Sequence, residues 1–203
     1  MIKLRKEQIV LDNDGRQGTL IKAGRAWGKS LAGKYWLTEK VFENNGDLLV
    51  VAETLHDAAR MVIENEILKR AYPGIVFKYQ TAILPNGVAI HMKTYAEVKS
   101  KYFRGPRFNA MWFDEIRTDI KGYEWLDIML SLKNNGTYLI TTTPTPDSTK
   151  FLVSRVFDEK CVVITGSTYD NKHNLHRDLL TNIESCNLIN SLSAQVIYGY
   201  IVL

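Results

Sequence analysis

Cysteine is nearly absent: Cys161 and Cys186 are the two in 203 residues. They stand in no metal-binding or redox spacing, so a disulfide framework is excluded and a reduced, intracellular protein is the simplest expectation. No run comes near the roughly 20 apolar residues that a membrane helix needs. Residues 1–7 are charged throughout and lack the apolar core of a signal peptide, so no membrane association is expected. There is no internal repeat and no low-complexity segment. Charge is only mildly one-sided: 26 Lys and Arg against 22 Asp and Glu give a formal net charge of +4. That balance is compatible with nucleic acid without requiring it. His173 and His176 lie three apart with no evident third ligand, which reads as surface histidine and not as a metal site.

Hydrophobic residues make up 45% of the chain and charged residues 24%, enough apolar material for one ordinary core. The most informative stretch is Ala23-Gly24-Arg25-Ala26-Trp27-Gly28-Lys29-Ser30. It reads as a phosphate-binding P-loop with Ala where the stricter pattern has its first Gly. A turn ahead of a helix points successive N–H groups into a nest for phosphate oxygens. Gly28 allows close backbone approach, and the helix beginning near Lys29 aims its positive end at the same anion. Lys29 is placed to reach the β- and γ-phosphates of ATP, and the Ser30 hydroxyl to ligate Mg²⁺.

The surrounding pattern is that of an α/β protein. Residues 18–22 read as a short strand. Leu31, Tyr35, Thr38, Val41 and Phe42 recur at helical spacing, and Asn44-Asn45-Gly46 ends that helix. Residues 48–52 form a continuous apolar run, as a strand buried on both faces should. Thr54 is placed to cap a second helix, with Asp57 three residues on and an apolar face of Leu55, Ala58, Ala59, Val62, Ile63 and Ile67, stopped by Pro73-Gly74. Residues 75–81 and 88–93, around Leu84-Pro85-Asn86-Gly87, predict an antiparallel hairpin inserted in the core. A helix is expected over 123–132, with Trp125, Leu126, Met129, Leu130 and Leu132 available for packing and Asn134-Asn135-Gly136 as its stop. Residues 138–140 and 161–166 read as further strands. Gln8 and Gln17 precede the first strand, where adenine contacts often originate, although exposed glutamine is the simpler reading.

Ala110-Met111-Trp112-Phe113-Asp114-Glu115 is the second anchor. Four apolar residues make a buried strand with two acids at its C-terminal end, where ligands bind in open α/β sheets. Asp114 is placed to hold Mg²⁺, and Glu115 to orient and polarise an attacking water. Residues 99–107 carry four basic and two aromatic side chains, a composition that suits phosphate or nucleic acid as well as a plain solvated loop. The hydroxyls of Thr141-Thr142-Thr143, before Pro144, read on residues alone as a Thr-rich strand edge.

Together these segments resemble the ATPase domain of the large terminase subunit of tailed bacteriophages. The resemblance rests on residues 24–30, Val51-Ala52-Glu53-Thr54, Arg104-Gly105-Pro106-Arg107 leading into Phe113-Asp114-Glu115, Thr141-Thr142-Thr143-Pro144, and Ser167-Thr168-Tyr169-Asp170-Asn171. It implies an ATP-driven motor that packages double-stranded DNA into a procapsid. Portal protein and small terminase subunit would be partners, a homo-oligomeric ring the working form, and the cytoplasm of an infected or lysogenic bacterial host the location. It also implies that Arg25 contacts the γ-phosphate or acts as a finger in cis, that Thr142 and Thr143 couple hydrolysis to movement, and that Arg104 is a candidate finger acting on a neighbouring subunit. The family continues into an RNase H-like nuclease domain, whereas this chain ends at Leu203, so no nuclease activity is expected from it; a split gene or a silent prophage remnant would look the same. The expected architecture is one RecA-like P-loop NTPase domain over 1–203. Its core spans about 18–170, its central sheet is mostly parallel and flanked by helices, and the tail 187–203 is a candidate start of the following domain. Another DNA-dependent P-loop ATPase, a helicase or recombination motor, is the alternative.

Overall fold

The apolar run Leu48–Ala52 is buried at every position and lies inside a sheet covered on both faces. The computed structural model describes residues 4–9, 15–43, 46–99, 103, 105–116, 120–187 and 197–199. Its strands are β1 (Gly18–Ala23), β2 (Leu48–Ala52), β3 (Val76–Lys78), β4 (Thr81–Ile83), β5 (Ala89–Thr94), β6 (Phe108–Asp114), β7 (Leu132–Thr142) and β8 (Cys161–Gly166). Its helices are α1 (Lys29–Glu43), α2 (Leu55–Ile63), α3 (Glu66–Ala71), α4 (Tyr95–Lys99), α5 (Gly122–Ser131), α6 (Pro146–Val156) and α7 (Arg177–Asn187). The strand order is β3-β4-β5-β2-β6-β7-β1-β8. Pairing is parallel from β5 to β8, while β3 and β4 pair antiparallel at the β5 edge. Among the described residues no helix is long and apolar enough to cross a membrane.

Alternate strand residues face opposite layers, as the two-residue strand period requires. Leu48 and Val50 pack with Trp36 and Leu37 of α1 and Met61 and Val62 of α2. Leu49 and Val51 pack with Tyr95 of α4, Trp125 of α5 and Phe151 of α6. This two-layer covering accounts for the continuous apolar runs of the central strands. Helix and sheet meet closely at Gly33 of α1, where a Cβ would lie 2.1 Å from the Trp112 ring.

Four local expectations are corrected. The segment 75–81 is not one strand: Tyr79, at φ 55°, turns the chain between β3 and β4. The antiparallel unit is therefore a three-stranded meander whose last member, β5, joins the main sheet beside β2. The single helix predicted from Leu55 up to Pro73-Gly74 breaks at the fully buried Asn65 into α2 and α3. Its side chain accepts from the N–H groups of Ile67 and Leu68 and donates to Lys34 O in α1 at 3.0 Å; of the expected apolar face, Leu55 and Ile63 are exposed. Asn134-Asn135-Gly136 does not end α5. It is an excursion within β7, where Phe108 pairs with Leu132 but Ala110 with Thr137, and Asn135 takes φ 64°. Lys99 ends α4 and does not open a loop. On α5, Trp125 and Ile128 are buried, whereas Leu126 and Leu130 are exposed.

Candidate functional site

The site gathers where β1, β7 and β6, adjacent in the sheet, end together. In register, Asp114 stands opposite Thr141, and Lys22 opposite Thr142. The P-loop follows β1, the threonine run ends β7, and the acidic pair ends β6. The β7 end thus lies between the P-loop and the acidic pair.

Lys29 opens α1 and is buried. Its Nζ donates to Ala23 O and Gly24 O, both at 3.1 Å, and to Thr143 Oγ1 at 2.7 Å, and it lies 3.6 Å from Glu115 Oε1. Burial lowers its pKa, an effect that Glu115 and Asp114 oppose. Glu115 takes the left-handed conformation at φ 49°, a strained state for a residue with a Cβ. Its carboxylate accepts from Thr143 N at 3.2 Å and Thr143 Oγ1 at 3.1 Å. Thr143 therefore touches both Lys29 and Glu115. The Thr142 hydroxyl touches neither, donating to Thr143 O at 3.3 Å and Ile116 O at 3.4 Å.

Asp114 is buried, and desolvation pushes its carboxyl up to about 7 against the Thr141 hydroxyl, which donates to it at 2.5 Å. Trp112 Nε1 in turn donates to Thr141 Oγ1 at 2.8 Å. Beside this pair opens a cavity of about 420 Å³, lined among others by Ser30, Glu53, Thr54, Asp57, Asp114 and Glu115. Its walls are the start of α1, the β2–α2 junction and the end of β6. Asp57 belongs to the predicted cap: its N–H donates to Thr54 Oγ1 at 3.1 Å.

The P-loop backbone has the concave form that a phosphate nest needs. Ala26 takes φ 57° and Gly28 φ 101°, and a Cβ on Gly28 would lie 2.2 Å from Gln8 Nε2. Gln8 is buried, contrary to the simpler expectation of an exposed glutamine, and donates to Trp27 O and Gly28 O, both at 3.3 Å. Gln17 is only partly buried. Trp27 contributes backbone and not its ring, which is buried under the Arg5 guanidinium at 5.1 Å and donates from Nε1 to Asp170 Oδ2 at 3.1 Å. Arg25 and Ser30 are exposed. His173 and His176 are exposed, and among the described residues no group of three or more His, Cys, Asp or Glu is arranged to hold a metal by itself. Arg104, with residues 100–102 of the 99–107 stretch, lies outside the described residues, as does the 187–203 tail apart from Asn187 and 197–199. Of the tail, Ile197 and Gly199 pack against Gly24 and Ala23.

Thr141 on Asp114, and the 167–171 segment on the P-loop, were not singled out for those roles from sequence. The first had a signal, a hydroxyl run ending one strand beside an acid ending another, but using it requires the strand order.

The donor set fits a nucleotide and a divalent cation: a loop turned through the left-handed Ala26 and Gly28, a buried lysine beside it, and a hydroxyl and a buried carboxylate lining one cavity. The family model described as the N-terminal part of the terminase large subunit, T4-like-virus type, matches residues 20–199. The ATPase domain of the Thermus phage P74-26 large terminase superposes with a TM-score of 0.71 at 14% identity, covering 98% of this chain and 94% of that one. The large terminase of a second thermophilic bacteriophage, in complex with ADP, gives 0.71 at 17% identity, covering 99% of this chain and 54% of that one, so this chain spans about half its length. The N-terminal domain of the bacteriophage phi29 DNA packaging ATPase gives 0.50 at 15% identity, covering 74% of this chain and 90% of that one. At these identities the likenesses show the fold. No curated protein matches the chain by sequence.

Proposed function

Because the chain belongs to the large terminase subunit family of T4-like-virus type, matching its N-terminal part, we propose that it hydrolyses ATP to drive double-stranded DNA into a procapsid. The observation that carries this reading is the cluster of Lys29, Thr143 and Glu115 beside the buried Asp114, drawn from three neighbouring strand ends. The nest at 24–30 and Lys29 hold the phosphate oxygens, helped by the positive end of α1. Ser30 and Asp114 would hold Mg²⁺, which when bound would supply positive charge to offset that of the phosphates.

With triphosphate on Lys29, Glu115 is free to orient the attacking water and accept its proton. Arg25 stabilises charge developing on the γ-phosphoryl group. Thr142 and Thr143 couple the site to movement, with Thr143 as the contact that phosphate displaces from Lys29. Arg104 serves a neighbouring subunit in a ring. Portal protein and small terminase subunit complete the assembly in the cytoplasm of an infected or lysogenic bacterium.

The test is steady-state ATPase activity with Mg²⁺, with and without double-stranded DNA, beside nucleotide binding. Glu115→Gln should keep ATP bound and lose turnover by about 100-fold or more. Lys29→Ala should lose ATP affinity. Retained turnover in the first variant would remove Glu115 from its role, and unchanged affinity in the second would end the P-loop assignment.

A further inference from the structure

The segment Ser167–Asn171 has no part in the chemistry above, yet three of its side chains bond the P-loop from behind. Thr168 Oγ1 donates to Arg25 O at 2.6 Å, and Asn171 Nδ2 donates to Ala26 O at 2.7 Å. Asp170 Oδ2 accepts from Trp27 Nε1 at 3.1 Å and is itself fixed by Ser167 N at 2.8 Å. Thr168 is buried, and a Cβ on Gly24 would lie 2.7 Å from its hydroxyl. The segment is the first turn of a 3-10 helix, Thr168–Asn174, capped by the Ser167 hydroxyl, so these donors are presented from an ordered element.

The remaining carbonyls of the loop are also occupied. Lys29 Nζ bonds Ala23 O and Gly24 O, Arg5 Nη2 bonds Trp27 O at 2.5 Å, and Gln8 Nε2 bonds Trp27 O and Gly28 O. Every carbonyl from Ala23 to Gly28 thus has a donor. A trans peptide is planar, so a carbonyl held outward holds the next residue's N–H on the opposite, concave side. Thr168 fixes in this way the N–H group of Ala26, while the peptide that Asn171 holds has its Trp27 N–H in a turn bond to Gly24 O at 3.4 Å. Ala26 between them is left-handed at φ 57°, a conformation that persists only where its surroundings impose it. Rotation of either peptide would turn a carbonyl dipole into the nest, toward phosphate.

We propose that Thr168 and Asn171, with Asp170 holding the Trp27 indole, are positioning residues that keep the P-loop peptides in the anion-binding orientation. The inference rests on the nucleotide reading of the P-loop given above. It assigns the 167–171 segment a role in phosphate affinity, although it touches no phosphate itself.

The experiment measures the Kd for ATPγS by calorimetry and the nucleotide-free melting temperature, for the full chain and three variants. Thr168→Val removes the hydroxyl at constant shape, Asn171→Ala removes the amide at a partly exposed position, and Thr168→Ser restores the hydroxyl. Thr168→Val and Asn171→Ala should each raise Kd by about 5- to 10-fold, the effect of one lost hydrogen bond, with melting temperatures close to wild type. Thr168→Ser should stay within about twofold of wild type. Wild-type affinity in both Thr168→Val and Asn171→Ala would overturn the inference, as would a loss of melting temperature with unchanged Kd. Failure of the wild type itself to bind ATPγS would instead strike the nucleotide reading, and this inference with it.

Discussion

Asp114 sits where chemistry and stability oppose each other. Burial raises its carboxyl to about 7, while an unfolded chain would titrate near 3.8. Between those values the folded state holds the proton more tightly than the unfolded state does. Its contribution is therefore present below about 3.8 and lost as pH rises through about 7. The loss is on the order of a few kcal/mol for so large a shift. Asp114→Asn keeps an acceptor for the Thr141 hydroxyl without the charge. Nucleotide-free melting of this variant should depend less on pH than that of wild type and lie higher at pH 8, while ATP turnover disappears. Parallel pH curves for the two proteins would show that desolvation of Asp114 is not the dominant cost. Asp114 and Glu115 were legible as an acidic pair at a strand end. The left-handed turn that separates their roles was not, because Glu115 reaches φ 49° only with its N–H held by Thr141 O at 2.7 Å and its carboxylate by Thr143.

At the scale of elements, α1 carries the site and meets the sheet closely at Gly33. Alanine is a better helix former than glycine by about 1 kcal/mol, but a Cβ at position 33 would come within 2.1 Å of the Trp112 ring. That ring is fully buried and tied to Thr141, so it cannot yield, and overpacking costs about 1–3 kcal/mol or more. Gly33→Ala should therefore lower the melting temperature and weaken ATP binding together, because the α1 N-terminus moves with the helix; an unchanged melting temperature would mean that the helix shifts freely. The α5 face makes the opposite case. Leu126 fits an apolar helical pattern yet is 58% exposed, so Leu126→Glu should change unfolding free energy by no more than about 0.5 kcal/mol. A larger loss in chemical denaturation would place Leu126 in the core after all. The helix pattern of 123–132 was readable, but the face that turns inward depends on where β6, β7 and α6 lie.

Across the whole molecule, the sheet is closed on one side by the antiparallel β3–β4 unit and on the other by β8. Cys161 opens β8 and is buried, and burial raises its thiol to about 11. The thiolate is the reactive form, so native protein should resist alkylation at Cys161 at neutral pH, and labelling should follow unfolding in denaturant. Mass spectrometry of the Cys161 peptide checks this. Rapid labelling under native conditions would show that the β8 edge opens independently of the rest.

Local features were already legible in the order of residues. Apolar runs predicted strands buried on both faces, helical spacing placed α1, Thr54 marked the cap of α2, and the P-loop and the Asp114-Glu115 pair stood out by residue type and spacing. These signals survive because sterics, capping and burial pattern act over a few residues. Tertiary structure decided the rest. Only the strand order sets Thr143 between Lys29 and Glu115, puts the Thr141 hydroxyl on Asp114, and brings Thr168 to Arg25 from 143 residues away. The Tyr79 turn, the Asn65 break and the Asn134-Asn135-Gly136 excursion likewise depend on partners distant in the chain. Asparagine and glycine permit a turn, a cap or a bulge alike, and the neighbouring strand or helix selects which one forms.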